Sequence, residues 1–312
     1  MPGQKPIVVV GSINTDLVSV SERIPVIGET VLGKDFQVHP GGKGANQAVA
    51  VARLGYPVRM IGRVGTDSFG REARFQLEQA GVDTQLVETS EGPSGVAMIS
   101  VSTRGENSIV VVPGANSMLT PADLDAHRAV IRDAGAVLAQ LEIPLETVEY
   151  LARICASEGV RFILDPAPAA ELPGALFSNT AWFTPNQAEA AYYTNGSSGS
   201  NEPRSIVEAL FRMGVRGVVL KMGADGAAVA TPDVGMQLVP AMRVEAVDST
   251  AAGDAFNGGF AVGLMRGMSP ADSARFASAV AAISVSRRGA QPSMPNLEEV
   301  DRFLVEHAER AL

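Results

Sequence analysis

The sequence is short of cysteine, of aromatics and of basic charge. A single cysteine, Cys155, among 312 residues excludes a disulfide framework and any zinc site built on cysteines. It falls in phase with Val148, Leu151 and Ala152, the stripe of a packed helix, and is read as core filler. The histidines His39, His127 and His307 lack metal-ligand spacing. Basic side chains number 25 against 34 acidic ones, a net charge of −9, which argues against nucleic acid or an anionic membrane as partner. Taken alone, that acidity also argues against a phosphate-rich substrate. No run approaches the roughly 20 apolar residues of a membrane span. The opening MPGQKPIVVVGS has too short an apolar run for a signal peptide, so a cytoplasmic location is expected. Aromatics are only 5% while glycines number 32, so tight turns and close backbone approaches are expected. Hydrophobic residues at 46% exclude a disordered chain.

Short apolar runs alternate with amphipathic stretches along most of the chain. Ile7–Val10, Val58–Ile61, Ala136–Leu141, Arg161–Leu164 and Val218–Leu220 read as buried strands. Helical patterns lie at Ala45–Leu54, Phe69–Gln79, Pro121–Asp133, Leu145–Glu158 and Ile206–Met213, and again at Ala255–Arg266, Pro270–Arg287 and Leu297–Arg310. The fold class implied is α/β, a three-layer, mostly parallel sheet flanked by helices, in one domain over residues 1–312. Two segments break the pattern. Thr15–Val38 alternates like a strand, and Ser94–Pro113 reads as a hairpin turning at Arg104–Asn107. Together, residues 12–39 and 94–113 predict a small antiparallel β lid, whose free edges favour a homodimer. Asn195–Asn201 (NGSSGSN) reads as a flexible surface loop.

Three stretches carry the chemistry. VVVGSINTD runs from a strand into Asn14 and Asp16. An amide and a carboxylate so spaced suit either a polyol or an Asx turn at the strand end. PGGKGANQA is a glycine-rich helix entry containing Gly42, Lys43 and Asn46. It is neither a P-loop nor a dinucleotide fingerprint, and it fits a small ligand or a purely structural turn equally well. In DSTAAGDAFNGG, Ala251, Ala252 and Gly253 lack bulky side chains and lead into a helix, so their N–H groups suit an anion cradle. Asp254 there is either a helix-dipole partner or a general base acting beside a held phosphate. The pair Gly258-Gly259 lets another element pack close. Glu142 ends a strand on the ligand side; Asn186 and Glu189 stand three apart at a helix start, able to face one ligand or a hydrated Mg²⁺. KMGADG, Lys221–Gly226, is a strand followed by a tight turn suited to cover a nucleotide, and Asp67 is read as a helix cap.

In order, GSINTD, GGKGANQAVA, AQLE, DPAPA, TPNQAE, DSTAAGDAFNGG and RRGAQPS resemble the ribokinase-like (phosphofructokinase B type) carbohydrate kinases over essentially the whole chain. GSIN with GGKGANQA resembles the ribose-specific members more than the fructokinases or adenosine kinases. The resemblance implies ATP-dependent phosphorylation of the ribose 5-hydroxyl, with Mg²⁺ and a monovalent cation, K⁺ being expected, and a lid that often forms a dimer contact. It makes Asp254 the base and the N–H groups of Ala251, Ala252 and Gly253 the anion hole. Asn14, Asp16, Gly42, Lys43, Asn46 and Glu142 would hold the sugar. Asn186, Lys221, Gly223, Ala224, Asp225, Gly226, Gly253 and Ser278 would hold ATP, Ser278 standing where family members often have Asn or His. Glu189 would organise Mg²⁺ through water. Asp248, Thr250, Ser284, Arg287, Gly289 and Ser293 would surround the monovalent cation. The alternatives are 2-deoxyribose, another sugar or a nucleoside as acceptor. A non-catalytic sugar binder would be expected to have lost Asp254 or the glycine before it, and neither is lost.

Overall fold

The structure, a computed structural model, describes residues 4–194 and 202–309, so the Asn195–Asn201 loop lies outside the described residues. Strands form at β1 (Ile7–Val10), β2 (Asn14–Ser21), β3 (Gly33–Gly41), β4 (Val58–Gly65), β5 (Asp83–Ser90), β6 (Gly95–Ser102) and β7 (Asn107–Val112). They continue with β8 (Ala136–Ala139), β9 (Arg161–Leu164), β10 (Trp182–Phe183), β11 (Val218–Lys221), β12 (Ala227–Thr231) and β13 (Gly235–Val239). The helices are α1 (Lys43–Arg53), α2 (Ser68–Gln79), α3 (Pro121–Ala126), α4 (Arg128–Arg132), α5 (Leu145–Glu158) and α6 (Gly174–Asn179). After them come α7 (Gln187–Thr194), α8 (Pro203–Arg212), α9 (Ala252–Met265), α10 (Pro270–Val285) and α11 (Leu297–Glu309).

Nine strands form one sheet in the order β13-β12-β11-β10-β9-β8-β1-β4-β5. It is parallel from β5 to β11 and ends in the antiparallel pairs β11–β12 and β12–β13. Every residue of β1 is buried, because the sheet is covered on both faces. Its alternate side chains serve two cores: Ile7 and Val9 pack with residues of α1, α9 and α10, while Val8 and Val10 pack with those of α5 and α8. Cys155 is fully buried in the second core, and burial pushes its thiol up to about 12. The glycine pair in α9 has the expected use. A Cβ on Gly258 would lie 2.6 Å from the Ala50 Cβ of α1, and one on Gly259 would lie 3.0 Å from Ala277 of α10. Asp67 caps α2, accepting from the Gly70 N–H at 2.8 Å.

The small sheet runs β3-β2-β6-β7. Its outer pairs, β2–β3 and β6–β7, are antiparallel, but β2 and β6 pair parallel, so the lid is mixed where an antiparallel sheet was expected. The reason is topological. β2 and β6 both run outward from the body, and each is followed by a strand that returns. The Pro121–Asp133 stretch is two helices, broken at His127 (φ −109°, ψ 14°). β12 carries no clear period-2 signal, since Ala227–Ala230 are uniformly small and buried.

Candidate active site

Parallel strands all point their carboxyl ends to one edge of the sheet, and successive crossovers leave β1 in opposite directions, towards β4 and β8. The crevice outside such a switch point is where ligands bind in open α/β sheets. There the chain leaving β1 meets the start of α1. Gly42 caps α1 with φ 88°, and a Cβ on it would sit 2.6 Å from the Asn14 nitrogen. Gly42→Ala is therefore expected to lower stability by about 2 kcal/mol or more, read as a reduced urea midpoint; an unchanged midpoint would contradict this close approach. On Gly41 a Cβ would overlap the Asp16 carboxylate, so the glycines leave room for the acid. Asp16 lies on β2 opposite His39. Burial, with Glu142 and Asp254 nearby, raises its carboxyl to about 6 against the pull of Lys43. Glu142 Oε2 accepts from Ser12 Oγ (2.6 Å) and from the Lys43 N–H (3.2 Å), tying the β8 end to both glycine-rich turns. Asn14 Oδ1 accepts from Asn116 Nδ2 at 2.7 Å, which leaves the Asn14 amide NH₂ turned away from Asn116.

Asp254 sits in the first turn of α9, 5% exposed. Its Oδ2 accepts from Asn46 Nδ2 (3.0 Å) and its Oδ1 from Gln47 Nε2 (3.1 Å). Asn46 is itself oriented, because its Oδ1 accepts from Gln291 Nε2 at 3.2 Å. Burial pushes the Asp254 carboxyl up to about 6; Lys43 opposes this, Asp165 adds to it, and the two amides lower it. An acid with that value is ionised at neutral pH yet more basic than an ordinary aspartate.

The α9 start is unusual backbone. Ala251, its cap, has φ 59° and is the non-glycine residue with positive φ among those described. Such strain concentrates at functional turns. The Ala252 N–H closes onto the Ser249 carbonyl at 3.2 Å. Among the described residues no protein partner takes up the N–H groups of Ala251, Gly253 and Asp254. The expected three-donor cradle of residues 251–253 is thus shared, at Ala252, with a turn.

Beside this helix start opens a cavity of about 990 Å³. Lys43, Asn186, Glu189, the turn Lys221–Gly226, Ala251–Asp254 and Ser278 line it, which brings the expected nucleotide residues to one wall or another. Gly226 has φ 90°, and a Cβ there would lie 2.6 Å from the Ala241 nitrogen, so the turn is held against the exit of β13. Asn186 and Glu189 do not both point freely into the space. They cap α7 reciprocally, the Asn186 N–H donating to Glu189 Oε2 and the Glu189 N–H to Asn186 Oδ1, both at 2.8 Å. Glu189 keeps its other oxygen for the cavity. Lys43 reaches the same space; burial alone would lower its pKa, but Asp254, Asp165, Glu142 and Glu189 raise it, so it remains cationic.

Two residues that the sequence reading had not singled out complete the centre. Asp165, at the end of β9, accepts from Lys221 Nζ at 2.9 Å and from Gln47 Nε2 at 3.0 Å. Gln47 accepts in turn from Gln140 Nε2 at 2.7 Å. Asp165 opens the DPAPA stretch, directly after the buried strand RFIL, and that position was its signal in the sequence.

The residues fit the metal ions that the resemblance implies. Among the described residues no cluster of three or more His, Cys, Asp or Glu side chains forms a metal cage. Mg²⁺, which keeps its waters and leans on phosphate oxygens, suits a single carboxylate such as Glu189. The residues that the resemblance places around a monovalent cation gather at the C-terminal end of α10, where a helix favours positive charge. Asp248 accepts from the N–H groups of Thr250 and Gly289, both at 2.9 Å, and the Oγ atoms of Ser284 and Ser293 are 2.7 Å apart. The Arg287 guanidinium is drawn off to Glu299 (2.5 Å), leaving a place lined with oxygens.

A family model described as pfkB family carbohydrate kinase matches residues 4–297. The chain belongs to that family. This pfkB family kinase is 40% identical to the ribokinase of Haemophilus influenzae over 307 residues, covering 98% of this chain and all (100%) of the relative. It is 36% identical to a deoxyribokinase of Salmonella typhi, covering 96% of this chain and 98% of that one. Its fold matches the structure of Arabidopsis thaliana ribokinase complexed with ribose and ATP, with a TM-score of 0.90, 34% identity and coverage of 96% and 99%. The family fixes the enzyme class as carbohydrate kinase and confirms the α/β architecture with its small second sheet. Among the described residues no helix is long and apolar enough to cross a membrane.

Proposed function

We propose that this chain transfers the γ-phosphoryl group of ATP to the 5-hydroxyl of D-ribose, giving ribose 5-phosphate and ADP. The observation that carries the reading is Asp254. It is a buried carboxylate raised to about 6, placed between a polyol-binding crevice and a phosphate-sized cradle at the α9 start. Asn14, Asp16, Gly42, Lys43, Asn46 and Glu142 hold the ribose, Asp16 accepting from its hydroxyls and Asn14 donating its free amide. Asp254 removes the 5-hydroxyl proton as that oxygen bonds to the γ-phosphorus. The bond to the β,γ-bridging oxygen breaks, and ADP leaves with the electron pair. Lys43 and the N–H groups at Ala251–Gly253 take up charge on the transferring group. Asn186, the Lys221–Gly226 turn and Ser278 hold the rest of the nucleotide. Mg²⁺, with Glu189 contributing through water, supplies neutralisation of the phosphate charge. A monovalent cation, K⁺ by expectation, would rest on Asp248, Ser293 and the carbonyls of Thr250, Ser284, Arg287 and Gly289, and would steady the loop that carries the cradle. The use of ATP suits the expected cytoplasmic location.

The lid supports pairing of two copies. Its register sets Val38, Leu17, Met98 and Val110 in one row, on the face opposite Asp16, and Val38, Met98 and Val110 are exposed. A solvent-facing apolar row on a sheet with free edges is a self-association surface. Nothing assigned to the sugar or the nucleotide lies on that face.

The relative that is a deoxyribokinase makes 2-deoxyribose the second acceptor to weigh. A site that hydrogen-bonds every hydroxyl leaves buried partners unpaired when one is missing, so ribose is expected to exceed 2-deoxyribose by about 10²-fold or more in kcat/KM. Coupled ADP-release assays with ribose, 2-deoxyribose, fructose and adenosine decide it. A higher kcat/KM for 2-deoxyribose than for ribose would transfer the assignment.

A further inference from the structure

Beneath Asp254 lies a pair of buried amides that the reaction as described does not use. Gln47, at the start of the second turn of α1, and Gln140, just beyond β8, are both 0% exposed. Gln47 Nε2 donates to two carboxylates at once, to Asp254 Oδ1 at 3.1 Å and to Asp165 Oδ2 at 3.0 Å. Its Oε1 accepts from Gln140 Nε2 at 2.7 Å. The Gln140 carbonyl, Oε1, is then left buried without a hydrogen-bond partner. That oxygen fills the space a side chain on Gly11 would need.

An orphaned buried carbonyl in a native core calls for a physical reason. Turning the Gln140 amide over would direct its carbonyl at the Gln47 carbonyl. Gln47 could meet it only by turning over too, which would aim its own carbonyl at two anions. The unpaired oxygen is thus what keeps the Gln47 NH₂ group pointing at both carboxylates. Those carboxylates serve different halves of the centre. Asp254 faces the sugar crevice, and Asp165 is paired with Lys221 of the nucleotide-side turn at 2.9 Å.

We propose that Gln47, oriented by Gln140, is a positioning residue. Its amide bridges Asp254 and Asp165, holds them side by side as two anions, and so couples the proton acceptor to the Lys221 side of the site. The charged groups facing Asp254 are Lys43 from α1, Asp165 from the β9 exit and, across the crevice, Asp16 from the lid. Lys43 opposes Asp254 directly, while Lys221 is paired with Asp165 and stands 3.5 Å from where a Cβ on Gly253 would be. Without the bridge the charge of Asp165 acts on Asp254 unrelieved by the Gln47 donor, and a proton taken up by Asp254 puts the base out of use.

The kinetic arm of the test rests on the proposed ribokinase reaction, and a second arm does not. In Gln47→Met, similar in length but with no donor, kcat is expected to fall about 30-fold or more while KM for ribose stays within about 3-fold, because orientation of the base is lost and sugar contacts are not. Gln47→Glu keeps the shape and not the donors, so it fails to rescue kcat. Gln140→Leu shifts kcat in the same direction by less. A kcat within about 3-fold of the parent in Gln47→Met would overturn the proposal. In ligand-free protein with ¹³C-labelled aspartate carboxyls, the Asp254 signal, assigned with Asp254→Asn, should titrate at higher pH in Gln47→Met than in the parent. If it titrates at the same pH, the bridge has no such role, whether or not the chain turns over ribose. A parent that leaves ribose untouched while Gln47→Met moves that titration would refute the proposed reaction and keep the bridge. Should Gln47→Met not fold, Gln140→Leu carries both measurements with the same signs.

Discussion

Asp254→Asn is expected to lower kcat for ribose by about 10³-fold, the scale of a lost general base, while the affinity for ribose changes little. The amide keeps the shape of the side chain but has one carbonyl oxygen for two incoming donors, Asn46 Nδ2 and Gln47 Nε2, and it cannot accept the hydroxyl proton. Titration calorimetry with ribose checks that the crevice survives. A kcat near the parent's would remove Asp254 from the role of base. The parent's pH profile tests the same group from another side. Asp254 and Asp16 are both raised to about 6, so their proton-bound forms persist to higher pH than in ordinary aspartates. In the proposed reaction both must be ionised, Asp254 to take a proton and Asp16 to accept sugar hydroxyls. The kcat/KM for ribose, which reports the free enzyme, should be level above neutral pH and fall as pH drops through about 6, with a log slope approaching 2. In Asp254→Asn the slope should approach 1, from Asp16 alone.

Asp16→Ala is expected to raise KM for ribose by about 10²-fold or more. A hydrogen bond to a charged group is worth about 1.5–3 kcal/mol, and this carboxylate is placed to accept from two hydroxyls. The backbone makes the loss specific. Gly41 has no room for a Cβ against Asp16, and Glu142 is already engaged by Ser12 and Lys43, so no neighbouring acid can move in as a substitute. Truncation also unloads the lid, since Asp16 is a β2 residue in mid-register between β3 and β6. kcat should fall as well, because a loosely held sugar seldom offers its 5-hydroxyl to Asp254. Steady-state kinetics over a wide ribose range measures both. A KM within a few-fold of the parent's would place the sugar elsewhere.

What the sequence made legible follows a physical pattern. β1, α5 and β9 have the bounds the periodicity predicted, because each is long in apolar signal and bounded by a turn or a cap. The stretches at 41–48 and 248–259 stood out because close backbone approach demands glycine and alanine in fixed places, a constraint that leaves a mark on one segment. The pairings of Gln47, Asp165 and Asn116 carried no such mark. Gln47 meets Asp165 and Asp254 across 118 and 207 positions, and Asn116 meets Asn14 across 102, so their work exists only once the chain is folded. Glu189 was legible as a residue but not in its dual use, since the cap it forms with Asn186 competes for one of its oxygens. The parallel β2–β6 seam of the lid was hidden for the same reason as the long-range contacts. Strand pairing between segments some 80 positions apart, as in Ser19 with Ser100, leaves no local pattern.

The net charge of −9 is no obstacle to ATP in the proposed reaction, because phosphate would be met there by Lys43 and by helix-start N–H groups, both on the cavity wall, and not by a basic patch. The most direct test of the account is a ³¹P NMR record of the chain incubated with ATP, Mg²⁺, K⁺ and D-ribose. A phosphomonoester signal of ribose 5-phosphate should grow in step with ADP, and both should stay absent when ribose is omitted or Asp254→Asn is used. ATP that remains intact with ribose present, or ADP that forms with inorganic phosphate and no sugar ester, would contradict it.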